Sequence, residues 1–341
     1  MALEVVSFAD GHLDAATALL AARHRRDRQR APALPKRFEE PAAVRSVLEA
    51  VLAGEDAVGV VALRGSRLVG FLLGTSASID PGHPFAAFRR PRAAEIPVAG
   101  HAVVLSDTRE VYGALYTAQA AQWLTAGLDA HYFQVPAGDR VALACWFALG
   151  FGHDLTLAVR ETSPVVSPPP VPVRQATMAD VDGLADQAVA ILKEMTMPPT
   201  CLPPPPDGAR EALRAWIAEL LAEPTLEQWV ALRGREVVGM QLFDACDRHV
   251  AELVTPEQAI YLLGAYTMPA ARGQGVGGAL LSRSLAWARD AGHTWCVLDY
   301  LPANPAGARF WERHHFQPLA YRLCRQLDER VRHAREASRS R

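Results

Sequence analysis

Two stretches of this chain of 341 residues repeat each other on either side of a proline-rich segment, and this repetition limits the fold most. Residues 61–65 (VALRG) recur identically as residues 230–234. Further on, one constant spacing relates 111–115 to 276–280, Gly127 to Gly292, Trp146 to Trp311 and Phe151 to Phe316. Several identities in the same order indicate an internal duplication.

The segment SPVVSPPPVP divides the two copies, because a proline-rich run is typical of a linker. We therefore expect a first domain at 1–162, a linker at 163–172, a second domain at 173–327 and a polar tail at 328–341. In each copy a strand and helices precede a strand pair, at 58–72 and 229–243. The second copy continues with a strand at 259–267, a helix at 276–291 and a strand at 294–300. This pattern predicts a mixed sheet covered by helices, an α/β (α+β) fold.

Composition and charge exclude several classes of protein. A net charge of −2 gives no reason to expect nucleic acid or an anionic membrane as partner. No signal peptide and no membrane helix is expected. The five cysteines form no C-x-x-C pair, which argues against a disulfide framework or a metal site and fits a cytoplasmic location.

Four closely spaced glycines follow the expected strand at 259–267 and lead into the next helix: Gly273, Gly275, Gly277 and Gly278. Glycines allow close approach of a ligand to the backbone, and the N–H groups at a helix start attract anions. The stretch therefore predicts a phosphate site.

Two nucleotide-binding motifs compete for this stretch. Gly273-x-Gly275-x-x-Gly278 also satisfies the dinucleotide fingerprint, and Asp299 lies where a ribose-binding acid would be. However, in a dinucleotide-binding domain the strand runs directly into the first glycine, whereas here residues 269–272 lie between them. Only about 40 residues remain after Asp299, which is too few for the further strands and helices of a dinucleotide-binding sheet. A nucleotide P-loop requires a lysine directly after its glycines, and this stretch has none.

The wider context resembles the GNAT superfamily of N-acetyltransferases. Residues 272–277 (RGQGVG) match its acyl-CoA signature, [Q/R]-x-x-G-x-[G/A]. A second family element, an asparagine followed by an aromatic residue and later by a phenylalanine, reads Asn304, Trp311 and Phe316. The resemblance covers residues 171–327.

The resemblance implies that two strands separate and that the pantetheine arm of acetyl-CoA enters between them. The strand end would bind this arm, the glycine turn would bind the pyrophosphate, Asn304 would contact the arm and Trp311 would pack beside it. The cofactor-binding residues implied are Tyr266, Thr267, Met268, Arg272, Gly273, Gln274, Gly275, Val276, Gly277, Asn304 and Trp311. In the first copy Asp107, Glu110 and Tyr112 replace Arg272, Gly275 and Gly277, and Asp139 replaces Asn304. We expect no CoA site there, because carboxylates repel a pyrophosphate.

The catalytic residues follow less directly. Trp311 occupies the position where many relatives carry the tyrosine acid, and an indole N–H is too weakly acidic to replace it. Tyr300, Tyr266 or water is the alternative acid. Asp299 is the first candidate for the base, followed by Asp244 and Glu252, and a water-mediated base is also open. His315 replaces the family glycine before Phe316, so the helix end is expected to differ.

The acceptor remains the most open point. The loop at 195–206 is apolar and rich in proline, which favours a small or partly apolar amine, although an ordinary ordered loop explains the same residues. The main interpretation is a cytoplasmic acetyltransferase that is active in its second half and monomeric, with the duplication serving as an internal pseudo-dimer. A CoA-binding sensor without catalysis and an enzyme for longer acyl-CoA are the alternatives.

Overall fold

The computed structural model describes residues 2–54, 56–83, 86–165, 171–223, 227–328 and 330–331. Its N-terminal half contains β1 (Leu3–Ser7), α1 (Leu13–Arg30), α2 (Pro41–Leu52), β2 (Val58–Arg64), β3 (Arg67–Ser78), β4 (Arg92–Ile96), β5 (His101–Val103), α3 (Thr108–Thr125), β6 (Ala130–Pro136), α4 (Arg140–Ala148) and β7 (Gly152–Glu161). Its C-terminal half contains β8 (Val173–Gln175), α5 (Val181–Met195), α6 (Ala209–Ala222), β9 (Glu227–Arg233), β10 (Glu236–Ala245), β11 (Ala259–Thr267), α7 (Val276–Asp290), β12 (Trp295–Tyr300), α8 (Pro305–Arg313) and β13 (Gln317–Gln326).

The two halves follow the same order of elements, which confirms the duplication at the level of structure. The one difference is that β4 and β5 together take the place of β11. β11 has the bounds expected from the sequence, and α7 buries Val276, Leu280, Leu281, Leu285 and Ala288 as its periodicity predicts. The middle of the expected linker, 166–170, and most of the expected tail, 332–341, lie outside the described residues.

The halves share one mixed sheet of 13 strands because they exchange their last strands. The strand order is β1-β2-β3-β4-β6-β13-β7-β12-β11-β10-β9-β8, and β5 pairs with β3 beside this path. Thus β13 lies between β6 and β7 of the other half, while β7 lies against β12. Tyr321 of β13, for example, is opposite both Val135 and Thr156. Each half therefore completes the sheet of the other.

Helices cover both faces of the sheet. Alternate residues of each strand point to opposite faces, so Trp229 and Ala231 of β9 pack in the same core as α7, whereas Val230 packs with α5 and α6. In the N-terminal half, α1 and α2 lie on one face and α3 and α4 on the other. The result is the mixed α/β fold expected from the sequence. Within the described ranges, none of the helices is both long and apolar enough to cross a membrane.

Candidate active site

The strands β11 and β12 separate halfway along their length. They pair in parallel from Ala259 opposite Trp295 to Leu262 opposite Leu298, where the ladder ends. β11 stays paired with β10 as far as Thr267, with an irregularity at which Leu263 is the additional residue. Such a bulge bends its strand and locally increases the twist. A gap therefore opens between β11 and β12 beyond Leu262.

The bulge also changes which side chains face each side of the gap. In a regular strand, residues three positions apart point to opposite faces of the sheet. Leu262 and Ala265 nevertheless both pack with the α7 core. Tyr266 packs with the α5–α6 core instead. The backbone of Thr267 points away from β10, since the neighbouring Met268 N–H donates to Val238 O at 3.0 Å. Tyr266, Thr267 and Met268 are the strand-end residues expected to bind a ligand. The Met268 amide already donates to β10 and is therefore not available to a ligand.

The glycine turn lies at the open end of this gap. Gly273 and Gly275 have φ angles of 71° and 79°, a left-handed conformation that favours glycine. Residues 272–275 are exposed, whereas Val276 is buried and anchors the start of α7. The first helical N–H bond is that of Ala279 to Gly275 O, at 2.9 Å. The N–H groups that precede it point out of the helix start, which is the arrangement that binds an anion.

Gly277 lies in the first turn of α7 and packs against α8. A Cβ atom at this position would lie 3.0 Å from Cε2 of Phe310. A larger residue at this position would therefore require the Phe310 ring to shift, and α8 closes one side of the helix start.

A glutamate that the sequence did not single out holds the turn. Arg272 donates to both carboxylate oxygens of Glu194 at the end of α5, at 2.7 and 2.5 Å, and to Thr267 O at 2.9 Å. Tyr266 Oη donates to the same carboxylate at 3.1 Å. Hydrogen bonding to Arg272 lowers the pKa of Glu194, so the glutamate is charged. The Arg272 guanidinium is thus occupied by Glu194 and Thr267, and only the backbone of Arg272 is available to a ligand at the turn. The neighbouring Gln274 accepts a hydrogen bond from Arg233 at 2.6 Å.

The corresponding region of the N-terminal half is filled by its own side chains. Tyr112 is fully buried and lies 2.8 Å from His101 Nδ1, while His101 Nε2 lies 2.9 Å from Gln134 O on β6. The buried Arg23 donates to the carbonyls of His101 and Val98. These groups bridge the space between β5 and β6 that corresponds to the open gap.

Charge completes the difference between the halves. Asp107 and Glu110 lie at the start of α3. Both pair with Arg64, Glu110 at 2.7 Å and Asp107 at 3.4 Å. That this half has no CoA site stays a prediction.

Asp299 and Tyr300 are the first residues of β12 beyond the split, and their side chains point to opposite faces. Tyr300 packs with the α7–α8 core. Burial raises the pKa of its hydroxyl, and a hydrogen bond with Thr156 lowers this pKa by a smaller amount. Asp299 lies on the other face, where it accepts a hydrogen bond from Tyr261 Oη at 2.8 Å. Asp299 is exposed to solvent, although many protein atoms lie around it. This burial raises the pKa of its carboxyl, while Tyr261, Arg322 and His249 act in the opposite direction.

A buried aspartate and a histidine extend the polar groups behind Asp299. Asp244 is buried and lies 2.7 Å from Nε2 of His249. The His249 ring stacks on Tyr261 with 4.8 Å between ring centroids. Asp244 was considered as a base from the sequence, but its carboxylate is enclosed by Ala245 N–H, Arg248 and His249. Glu252 pairs instead with Arg37 of the N-terminal half. His249, like Glu194, is a residue that the sequence did not single out, because it lies in a loop with no motif.

Asn304 and Trp311 have structural roles that do not depend on a ligand. Asn304 begins α8, and its side chain accepts from Gly307 N at 3.2 Å; Asp139 caps α4 in the same way, from Ala142 N at 3.0 Å. Trp311 is buried, with its ring 5.3 Å from that of Phe316. Any contact of either residue with a cofactor stays a prediction.

The end of α8 does not differ as expected. His315 adopts a φ of 63°, the same left-handed conformation as Gly150 with 85° at the end of α4. The histidine therefore accepts the strained conformation, and the geometry of the helix end is kept.

A pocket of about 660 Å³ lies at the opposite end of β11 from the gap. Its lining includes Arg37, Cys246, Glu257, Gln258 and His293. Among the described residues, no group of three or more His, Cys, Asp or Glu side chains is arranged to hold a metal ion. The gap and the glycine turn therefore remain the place where the predicted site residues come together.

Comparison with known proteins agrees with this geometry. Residues 190–316 match the model of the acetyltransferase (GNAT) family. A search of curated proteins finds no match.

Several solved structures share the fold along almost the whole chain. A GCN5-related N-acetyltransferase from Sphaerobacter thermophilus has a TM-score of 0.57 at 12% identity, with 95% of each chain covered. A tandem GNAT protein from the clavulanic acid biosynthesis pathway has a TM-score of 0.50 at 13% identity, covering 95% of this chain and 98% of that one. The glucosamine N-acetyltransferase region of a fungal multi-domain GH3 β-N-acetylglucosaminidase has a TM-score of 0.54 at 15% identity, covering 95% of this chain and 38% of that one.

The family match and the site define an acyltransferase of the GNAT class. This match covers residues 190–316, and the fold of both halves together is similar to that of the tandem GNAT protein.

Proposed function

We propose that the C-terminal half transfers an acetyl group from acetyl-CoA to an amine of a small-molecule acceptor. The observation that carries this proposal is the conjunction of an open strand gap with an exposed glycine turn at a helix start, present in one half and filled in the other. The GNAT family match supports CoA as the carrier of the acyl group.

The residues around the gap fit such a co-substrate. The outward N–H groups between Gly273 and Gly277 suit a pyrophosphate, and the helix dipole of α7 adds to their attraction. Tyr266 and Thr267, on the free edge of β11, would border the pantetheine arm. Asn304 and Trp311 lie at the start and on the buried side of α8, which flanks the gap. The acetyl thioester supplies the electrophilic carbonyl when it is bound.

Asp299 is proposed as the base that takes a proton from the acceptor ammonium. Its raised pKa suits this role, because a base is most effective when its pKa approaches the working pH. Tyr300 is proposed as the acid, on the opposite face of β12. This arrangement separates an acceptor side, with Asp299 and Tyr261, from the side that α7 and α8 cover.

The acceptor is proposed to be small or partly apolar. The loop between α5 and α6 presents Met197 with 61% of its surface exposed, and Pro198, Pro199, Pro203 and Pro204 are also exposed. Such a stiff apolar wall offers little to a strongly basic peptide. A panel in which basic peptides were acetylated much faster than small amines would contradict this.

The chain is further proposed to act as a cytoplasmic monomer. Strand exchange within one chain already supplies the pairing that a dimer would provide. All five cysteines are free thiols, which suits a reducing compartment.

Calorimetric titration of the intact protein with acetyl-CoA tests the central proposal. Gly275→Glu copies Glu110 into the glycine turn, and we expect it to weaken binding about 100-fold or more through like-charge repulsion at close range. Gly127→Glu is the matched control, because Gly127 has a φ of 75° and lies in the N-terminal half. Intact protein that bound no acetyl-CoA would refute the proposal. Binding without turnover of any amine would favour the sensor alternative, and tighter binding of longer acyl-CoA would change the donor.

A further inference from the structure

Arg322 belongs to the C-terminal half by sequence, but its side chain is held by the N-terminal half. Its Nε donates to Asp154 Oδ2 at 2.5 Å, and one terminal nitrogen donates to Phe88 O at 2.9 Å. Its guanidinium lies over the ring of Tyr132, 5.1 Å from the centroid. Asp154, Phe88 and Tyr132 all come from the N-terminal half, so three contacts restrain one side chain.

The sheet register places Arg322 on the same face as Asp299. Asp299 is opposite Leu157 on β7, and Leu157 is opposite Ala320 on β13. Residues directly opposite each other share a face, and Arg322 is two residues beyond Ala320. Two strand spacings and two residues separate the Cα atoms of Asp299 and Arg322 by about 12 Å, within the combined reach of both side chains.

Two of these contacts, with Asp154 and Tyr132, hold the guanidinium farther from Asp299 along the strand direction. Asp154 lies at an irregularity of β7, between Leu155 opposite Arg322 and His153 opposite Leu323. Tyr132 is opposite Cys324. Both partners lie farther along the sheet from Asp299 than Arg322 itself does. The Arg322–Asp154 pair is largely shielded from solvent, with 14% and 28% of the side chains exposed, so the restraint is firmer than that of a surface pair.

We propose that Asp154 and Arg322 are positioning residues through which the N-terminal half controls the charge beside the base Asp299. The inference rests on the proposed function, in which Asp299 takes the acceptor proton. While Asp154 holds Arg322, the arginine does not form an ion pair with Asp299, and the base stays available to an ammonium group. The degenerate half thus contributes to the active site through a restraint, without binding CoA.

Other charged and titratable groups around Asp299 do not replace this control. From the strands and loop packed beside it come Tyr261 on β11, Asp244 on β10 and His249 after β10. Asp154 on β7 also acts directly, because its charge raises the pKa of Asp299. Tyr300 points to the opposite face. Tyr261, His249 and Asp244 all belong to the C-terminal half and are held among themselves. Arg322 is the neighbouring cation whose position depends on the other half.

Direct titration of Asp299 tests the inference without an acceptor. The full chain is labelled with ¹³C-aspartate, and the Asp299 carboxyl signal is assigned with Asp299→Asn. Asp154→Asn should lower the titration midpoint by about one pH unit, because the freed Arg322 pairs with Asp299 and because the Asp154 charge, which raises the pKa of Asp299, is lost. In an Arg322→Gln background, where only the direct charge effect remains, Asp154→Asn should lower it less. Arg322→Gln should raise the midpoint, because it removes the cation. Asp290→Asn is the control, since it removes a carboxylate from another Asp–Arg pair at the far end of α7.

Two further variants separate positioning from folding. Asp154→Glu keeps the charge and should keep the midpoint near that of the parent protein. Arg322→Lys keeps a cation without the same hydrogen bonds and should lower it. If Asp154→Asn fails to fold, the Arg322 variants decide alone.

The inference is overturned if Asp154→Asn behaves like Asp290→Asn, if it lowers the midpoint as much in the Arg322→Gln background as in the parent protein, or if Arg322→Gln does not raise the midpoint. The result is independent of the binding test above, because a protein that bound no acetyl-CoA would still show these shifts. Once an acceptor is known, the acidic limb of the kcat/KM profile should move with the midpoint.

Discussion

The ion pair between Glu194 and Arg272 gives a quantitative prediction about CoA binding. In the parent protein the two charges cancel beside the glycine turn, with N–O distances of 2.7 and 2.5 Å. Glu194→Gln removes the negative charge and leaves Arg272 as a net cation near the bound pyrophosphate. We therefore expect tighter binding of acetyl-CoA.

The magnitude follows from Coulomb's law. For two phosphate charges about 8 Å from the guanidinium and an effective dielectric of about 40, the attraction is about 2 kcal/mol. At physiological salt the separation is about one Debye length, which reduces the gain to about 1 kcal/mol. A gain of about 1 kcal/mol corresponds to a Kd about five times lower. The pair itself is half exposed, so its loss should change the stability of the fold by less than about 1 kcal/mol.

Calorimetry with acetyl-CoA at low and at high salt measures this effect. Glu219→Gln on α6 is the control, because Glu219 is exposed and the substitution changes the net charge equally. The gain should shrink as salt increases, and the control should bind like the parent. If Glu194→Gln weakened binding at every salt concentration, the electrostatic reasoning would be refuted. The role of Glu194 would then be to fix the shape of the turn through Arg272.

Two further predictions concern the fold. His315→Gly should raise the free energy of unfolding by about 0.5–1 kcal/mol, because it relieves a left-handed residue at some cost in chain entropy; urea unfolding measures this. Gly150→His should do the reverse, and equal stabilities would contradict the assigned conformation. A fragment of residues 163–341 lacks β7, so β12 and β13 lose neighbours, and it should not unfold cooperatively in circular dichroism until residues 1–162 are added. A fragment that folded alone would show that the exchanged strand is dispensable.

Local sequence patterns predicted much of the secondary structure and the glycine turn. The bounds of β11 and the buried face of α7 follow from periodicity, which depends on residues a few positions apart. The turn followed from glycines at a strand end, where backbone freedom is a property of the residue itself. His315 shows where this reasoning fails, because the surrounding fold imposed a conformation that its residue type disfavours.

Contacts between distant residues could not be predicted in this way. Glu194 lies far along the chain from Arg272, and His249 carries no motif that would have connected it with Tyr261 and Asp299. The sequence predicted that carboxylates would exclude CoA from the N-terminal half. It did not predict that Tyr112, His101 and Arg23 also fill the space between the strands.

The sequence by itself determined that the chain is duplicated, that one copy has a glycine turn at a helix start, and that the other copy has carboxylates in its place. These features depend on residue types and their local order. Only the tertiary structure decided that β7 and β13 are exchanged, and that Asp154 of one half reaches Arg322 beside the candidate active site of the other. Strand partners and buried ion pairs depend on packing between residues that are far apart in the sequence, so a local sequence pattern cannot predict them.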